Sequence, residues 1–468
     1  MEKVCIIGAG SSGIAACQVL QARGLPFDCY ERGSSVGGNW RYDNDNGLSS
    51  AYRSLFINTS RRMMAYATYP MPDHYPDYPH HTQIADYFDS YVERFGFRER
   101  IRFRTEVVRV EQAGGGWSVT VRRLEDGAEE TVRYRAVLVA NGHHWNPKYP
   151  EPPFPGQESF TGEALHSHFY READERFAGK LVLVLGIGNS ATDIAVETSR
   201  VSRMTYLAMR RGAHVIPKYI RGKPTDDSGP AAFNRLPFSV QRQLFMREIK
   251  RIQGEMEDYG LPKPDHKFGE AHPTVSADLL TRIGHGRISP KPNIARIEGG
   301  EVHFVDGTST PIDTIVWCTG YRISFPFLGP EVIDPAGNRV PLYRRVVHPE
   351  RPGLYFIGLV QPLGAIMPIA ELQSEWVADL LGGEVALPAP AEMREEIQRE
   401  EGAMRRRYVA STRHTIQVDF HSYVRLLQRE RRTRRVLGPE GRNGGARLRG
   451  QAAQVRSRGR RKLRSLAR

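Results

Sequence analysis

Short, wholly apolar runs followed by mixed stretches recur along the chain. Val4-Cys5-Ile6-Ile7 and Leu181-Val182-Leu183-Val184-Leu185 offer no polar side chain to solvent, which predicts strands of parallel sheets covered on both faces. Residues 14–23 and 191–200 then read as helices. Further strands are predicted at 27–30, 204–209, 314–318 and 354–358, and a helix from Pro368 to Leu381. A strand, turn and helix used twice predicts an α/β fold.

Both strand–helix junctions are glycine turns, Gly8-Ala9-Gly10-Ser11-Ser12-Gly13 and Gly186-Ile187-Gly188-Asn189-Ser190-Ala191, 178 positions apart. In such a turn the first glycine makes the bend and the second admits a pyrophosphate to the backbone. The third position, Gly13 or the small Ala191, lets helix pack on strand. Free N–H groups and the dipole at the helix start favour the phosphate charge, so two such turns predict two Rossmann-like dinucleotide-binding domains. The end of the next strand separates the two turns. Eighteen residues after Gly13 that strand ends in Glu31, whose carboxylate suits both ribose hydroxyls of FAD or NAD. Twenty-two residues after Gly188 it ends in Arg210-Arg211, and a guanidinium fork suits the 2′-phosphate of NADP, which a carboxylate would repel.

At 468 residues the chain has room for two or three domains. Its four cysteines, Cys5, Cys17, Cys29 and Cys318, form no C-x-x-C pair and no metal spacing, so buried thiols in a reducing compartment are expected. No apolar run approaches the ~18 residues of a membrane span, and residues 1–10 carry no basic leader; a cytoplasmic protein is expected. The net charge of +13 resides wholly in residues 429–468, with fifteen Lys or Arg and two Glu. This stretch is expected to be a disordered basic tail without a specific nucleic-acid partner.

Between the turns, Phe160-x-Gly162-x-x-x-His166-x-x-x-Tyr170 resembles the fingerprint of flavin-containing monooxygenases, which are class B flavoprotein monooxygenases. Gly37-Gly38-Asn39-Trp40, Asn58-Thr59-Ser60, Tyr78-Pro79-His80-His81-Thr82-Gln83, Cys318-Thr319-Gly320-Tyr321, Gln361-Pro362-Leu363-Gly364 and Glu371-Leu372-Gln373 resemble further landmarks in the same order. The likeness runs from about Glu2 to Tyr423. It implies an NADPH domain inserted in an FAD domain: residues 1–159 and 287–428 for FAD, 160–286 for NADPH, with 429–468 left as the tail. The segments 287–304, 314–318 and 354–358 are then expected to complete the FAD sheet, and the proline-rich stretch 147–156 to be a linker.

The resemblance implies FAD contacts from Gly8, Gly10, Ser12, Gly13, Glu31, Gly38, Trp40, Asn58, Thr82, Gln83 and Gln361. It implies NADP contacts from Gly186, Gly188, Asn189, Ser190, Ala191, Arg210 and Arg211. Asn58 matches an asparagine beside the isoalloxazine and is the catalytic candidate, while the residues alone allow a turn or helix cap there. The helix from Pro368 is expected to point its N-terminus at the flavin pyrimidine. The implied reaction uses NADPH and O2 to oxygenate an amine nitrogen or sulfide sulfur through a C4a-hydroperoxyflavin. Tyr170, where Baeyer–Villiger relatives usually carry Trp, favours heteroatom over ketone oxygenation. Baeyer–Villiger insertion and an NADPH:acceptor reductase remain alternatives. The sequence also leaves a homodimer open, and leaves His166 and Tyr170 open as capping and packing groups.

Other chemistry fails on spacing. His80-His81 are adjacent, not at i, i+4, so no metal site is expected. Gly33-Ser34-Ser35-Val36-Gly37 has the letters of a nucleophile elbow, but the residues after it do not read as the helix it needs.

Overall fold

The computed structural model describes residues 2–227, 238–408 and 415–434. The described residues fold as two compact units, one within 1–49, 59–143 and from 323 on, the other within 50–58 and 144–322.

The first unit is built on a five-stranded parallel sheet in the order Leu354–Phe356, Ala136–Val139, Val4–Ile7, Phe27–Tyr30, Ile101–Arg102. Val4–Ile7 lies at its centre, in register with Phe27 to Tyr30 on one side and Ala136 to Val139 on the other. This is why the run is apolar throughout: helices and a second sheet leave neither face to water. A three-stranded meander, Thr105–Ala113, Gly116–Arg123 and Glu129–Tyr134, shares one core with the main sheet through Val119, Trp117, Val137 and Phe356. Helix Met367–Leu381 carries Pro368 in its first turn, where a missing N–H costs nothing, and packs on helix Ser11–Ala22.

The second unit has its own five-stranded parallel sheet, ordered Ile288–Lys291, Met204–Ala208, Leu181–Leu185, Thr314–Trp317, Glu163–His166. Three expectations are corrected here. Thr314–Trp317 pairs with Leu181–Leu185, Thr314 opposite Val182, and Ile288–Lys291 pairs with Met204–Ala208, so neither completes the first sheet; only Leu354–Phe356 does. Ile294–Glu298 and Glu301–Phe304 enter a separate antiparallel sheet with Ser309–Pro311. An apolar run announces burial but not its neighbour, and four buried residues suit either sheet. The longer segment of the second unit accordingly runs from His144 to Arg322, and the proline-rich stretch is part of it. Phe154 stacks on Trp317 at 6.2 Å between ring centres.

The tail expectation is corrected at its start. Residues 429–433 continue helix Phe420–Thr433, where Glu430 is 5% exposed and takes an ion pair from Arg344 at 2.9 Å, and Arg431 pairs with Asp379 at 2.5 Å. Partnered charges of this kind fix a helix that composition alone marks as solvated. Residues 435–468 lie outside the described residues.

Candidate functional site

Helix Ser11–Ala22 starts directly behind Gly10, which holds the N-cap at φ −71°, ψ −173°. No side chain caps this end and its first turn carries no acid, so its leading N–H groups are not taken by a protein side chain. Gly13 is needed for the helix to start so close to the strand: a Cβ there would lie 1.8 Å from the Gly8 carbonyl oxygen. The Gly38–Trp40 turn runs alongside, its Gly38 Cβ position 3.1 Å from Gly10 Cα, and Ser12 packs its hydroxyl against Gly358. These approaches leave a cradle of bare backbone, which fits the pyrophosphate of a dinucleotide.

Glu31, 4% exposed at the end of strand Phe27–Tyr30, accepts hydrogen bonds from the Ala9 N–H at 2.7 Å and the Gly33 N–H at 2.8 Å. The carboxylate thus braces the turn itself, and with about four lone-pair directions it keeps capacity for a ribose hydroxyl. Gln83 accepts from the His80 N–H at 3.0 Å, and Thr82 pairs its exposed hydroxyl with His80 Nδ1 at 2.9 Å, so both help start helix His81–Phe95. Gln361 opens a short strand beside Gln417–Asp419. Two flanking groups escaped the sequence reading: the backbone of Ala140-Asn141 against Gly8, and Gly358 against Ser12. Small residues ending the strands at 139 and 356 were the available signal.

The second turn repeats the device with a looser fit. Gly186 sits at φ +135°, Gly188 caps helix Asn189–Thr198, and Ala191, fully buried, fills the place of the third glycine. Asn189 spends its amide oxygen on the Val275 N–H at 2.9 Å, and Ser190 is exposed. Arg210 and Arg211 come after strand Met204–Ala208 and are both exposed. Arg211 pairs with Asp265 at 3.0 Å, whereas Arg210 makes no ion pair among the described residues.

Asn58 is half-buried at the end of a nine-residue strap, Ser50–Asn58, that belongs to the second unit although its flanking residues belong to the first. It caps no helix; Ser60 occupies the cap position of Arg61–Met64. The fingerprint residues take the capping and packing roles. His166, fully buried, accepts the His168 N–H at its Nδ1 at 3.0 Å, and burial pushes its pKa down to about 4. Tyr170, also fully buried, packs edge-on between Tyr52 and Phe177, and burial raises its phenol far above the usual value. In the first unit the buried Glu371 accepts from the Ala67 N–H at 2.6 Å, the Thr68 N–H at 3.2 Å and the Thr68 hydroxyl, and burial together with the nearby Glu375 pushes it up to about 7. Among the described residues no His, Cys, Asp and Glu cluster fits a metal, and no helix is long and apolar enough to cross a membrane.

Residues 1–434 match the family described as flavin-binding monooxygenase-like. The chain belongs to that family. It is 38% identical over 433 residues to flavin-containing monooxygenase 5 of Oryctolagus cuniculus, covering 90% of this chain and 80% of that protein. It is 35% identical to dimethylaniline monooxygenase [N-oxide-forming] 2 of Rattus norvegicus, covering 85% and 76%. The solved structure of S-allyl-L-cysteine S-oxygenase from Allium sativum superposes with a TM-score of 0.71 at 25% identity, over 99% of this chain and 98% of that one. As a flavin-binding monooxygenase the protein is an NADPH-dependent oxidoreductase that uses FAD and NADPH on a small molecule and O2. Its two glycine turns fit that pair of dinucleotides.

Proposed function

We propose that the protein oxygenates a soft nucleophile, an amine nitrogen or a sulfide sulfur, with FAD held at the first glycine turn and NADPH at the second. The observation that carries the assignment of the turns is their contrast: one ends in the buried Glu31 carboxylate, the other in the exposed Arg210 guanidinium. The N-oxide-forming and S-oxygenase relatives support the substrate class. FAD held at the first turn would supply, once reduced by NADPH, the oxygen-transfer chemistry.

The chain's own residues bind and orient. The leading N–H groups of Ser11–Ala22 take the FAD pyrophosphate and Glu31 its ribose; those of Asn189–Thr198 take the NADPH pyrophosphate and Arg210 its 2′-phosphate, with Arg211 divided between phosphate and Asp265. Helix Met367–Leu381 has no acid in its first turn, so its N-terminal dipole favours negative charge placed before it. The Asn58 amide hydrogen-bonds the bound coenzyme and fixes its geometry, so that Asn58→Ala should divert NADPH-derived electrons to peroxide. Wild-type coupling in that variant removes Asn58 from the mechanism.

Rapid mixing of reduced, NADP⁺-bound protein with O2, tracked by flavin absorbance, tests the whole reading. A long-lived oxygen adduct whose decay quickens with N,N-dimethylaniline or methyl phenyl sulfide, and not with cyclohexanone, is expected. Acceleration by the ketone alone makes it a Baeyer–Villiger enzyme, and absence of any adduct makes it a reductase.

A further inference from the structure

The strap Ser50–Asn58 is fastened to the rest of the second unit towards both of its ends. The Tyr52 hydroxyl donates to Asp193 at 2.6 Å, Ser54 donates to Glu197 at 2.6 Å, and the Arg53 N–H donates to the Arg171 carbonyl at 2.8 Å. Asp193 and Glu197 are one helical turn apart on Asn189–Thr198, so one face of that helix receives the strap's beginning. At the other end the Lys218 ammonium donates to the Ile57 carbonyl at 3.3 Å. That carbonyl belongs to the peptide bond that joins Ile57 to Asn58, and Lys218 lies in the field of Asp193 and Asp278.

We propose that Asp193 is a positioning residue for Asn58, holding the strap at Tyr52 while the Lys218 ammonium holds the Ile57–Asn58 peptide. The proposal rests on the reading of Asn58 given above and adds how its amide is held. It also ties Asn58 to the helix whose first residue lies in the second glycine turn, so the asparagine is set by the element that would carry NADPH. Neither Tyr52 nor Asp193 has a role in the proposed coenzyme contacts.

The groups around Asp193 act on its carboxyl in opposite directions. Burial raises its carboxyl to about 6; the Tyr52 hydroxyl and Lys218 lower it, and Glu197 and Asp278 raise it. Burial pulls Lys218 below the ordinary lysine value. The Asp193 value in the clasp is raised above the ordinary 3.8, so protonation relieves the cost of burying the carboxylate and does not by itself release the strap.

Tyr52→Phe, Asp193→Asn and Asn58→Ala are compared as FAD-loaded proteins by hydrogen exchange of the 50–58 amides and by peroxide released per NADPH with N,N-dimethylaniline as substrate. Tyr52→Phe, which deletes one hydroxyl, and Asp193→Asn should speed strap exchange on the order of tenfold, as for one lost hydrogen bond to a charged group. Both should raise peroxide release while leaving the KM for NADPH within about twofold, because the residues proposed to contact it are untouched. Unchanged strap exchange in both variants overturns the proposal, as does faster exchange with wild-type coupling when Asn58→Ala does uncouple. Coupling retained by Asn58→Ala instead defeats the reading of Asn58, and the positioning proposal falls with it.

Discussion

The two glycine turns use the same backbone device to opposite ends. In the first, packing is so close that no side chain fits at Gly13, and the next strand delivers a buried carboxylate that hydrogen-bonds back to the turn. In the second, a methyl group fits at Ala191, and the next strand ends in exposed guanidinium groups that leave the turn alone. A helix start supplies generic affinity for phosphate, and the residue at the end of the next strand supplies the choice of dinucleotide. The tighter turn suits a cofactor that stays; the looser one suits a coenzyme that must leave each cycle.

Exchanging the third residues should break this contrast most severely. Gly13→Ala drives a Cβ into the Gly8 carbonyl oxygen, and the overpacking should cost about 3 kcal/mol and the retention of flavin. Ala191→Gly removes only a methyl from a first helical turn and should cost about 1 kcal/mol, with flavin retained. Flavin absorbance after gel filtration and thermal melting read both. Equal tolerance at the two positions would mean that the close approach in the first turn is not what holds FAD.

Each unit also buries an acid that fastens a segment to a helix, Glu371 to residues 67–68 and Asp193 to the strap. Glu371 stands higher, at about 7 against an ordinary 4.5. Its folded-state value is raised, so its share of stability is full below pH 4.5 and lost as pH rises through about 7. The whole shift amounts to at most about 3 kcal/mol. Glu371→Gln should therefore flatten the dependence of Tm on pH between 4.5 and 7, a window read by melting curves across that range. An unaltered slope would move the titration to another group.

Much of this was legible because glycine turns are local. The bend, the bare cradle and the residue proposed for recognition lie within one strand–helix–strand stretch, so spacing alone singled out Gly8, Gly13, Glu31, Gly188 and Arg210 as candidates. The helix starts differed by only a few residues, since the capping glycines put them at Ser11 and Asn189. What escaped was set by distant pairing. Thr314–Trp317 carries no mark of which sheet it joins, and the strap's membership depends on Tyr52 meeting Asp193, 141 positions away. The basic composition after 429 likewise hid that Glu430 and Arg431 have buried partners in other elements.

Removing the Glu31 carboxylate probes the first turn through its hydrogen bonds. Glu31→Ala leaves the buried Ala9 and Gly33 N–H groups without their acceptor, a loss of about 2 kcal/mol that should appear both in Tm and in weaker FAD binding. Glu31→Gln restores one acceptor and should recover part of each. Full FAD affinity in Glu31→Ala would confine this carboxylate to bracing the turn.

The finest test separates the two arginines of the second turn. Arg211 already shares its charge with Asp265, whereas Arg210 is uncommitted among the described residues, so Arg210→Ala should cost more. Losing one guanidinium–phosphate contact at an exposed site should raise the KM for NADPH on the order of tenfold, about 1.4 kcal/mol, and leave that for NADH nearly unchanged. Arg211→Ala should raise it less, and Asp265→Asn, by freeing Arg211, should lower it. Steady-state kinetics with both coenzymes decide the matter, because a general effect on charge would move NADH and NADPH together, and only a 2′-phosphate contact moves one.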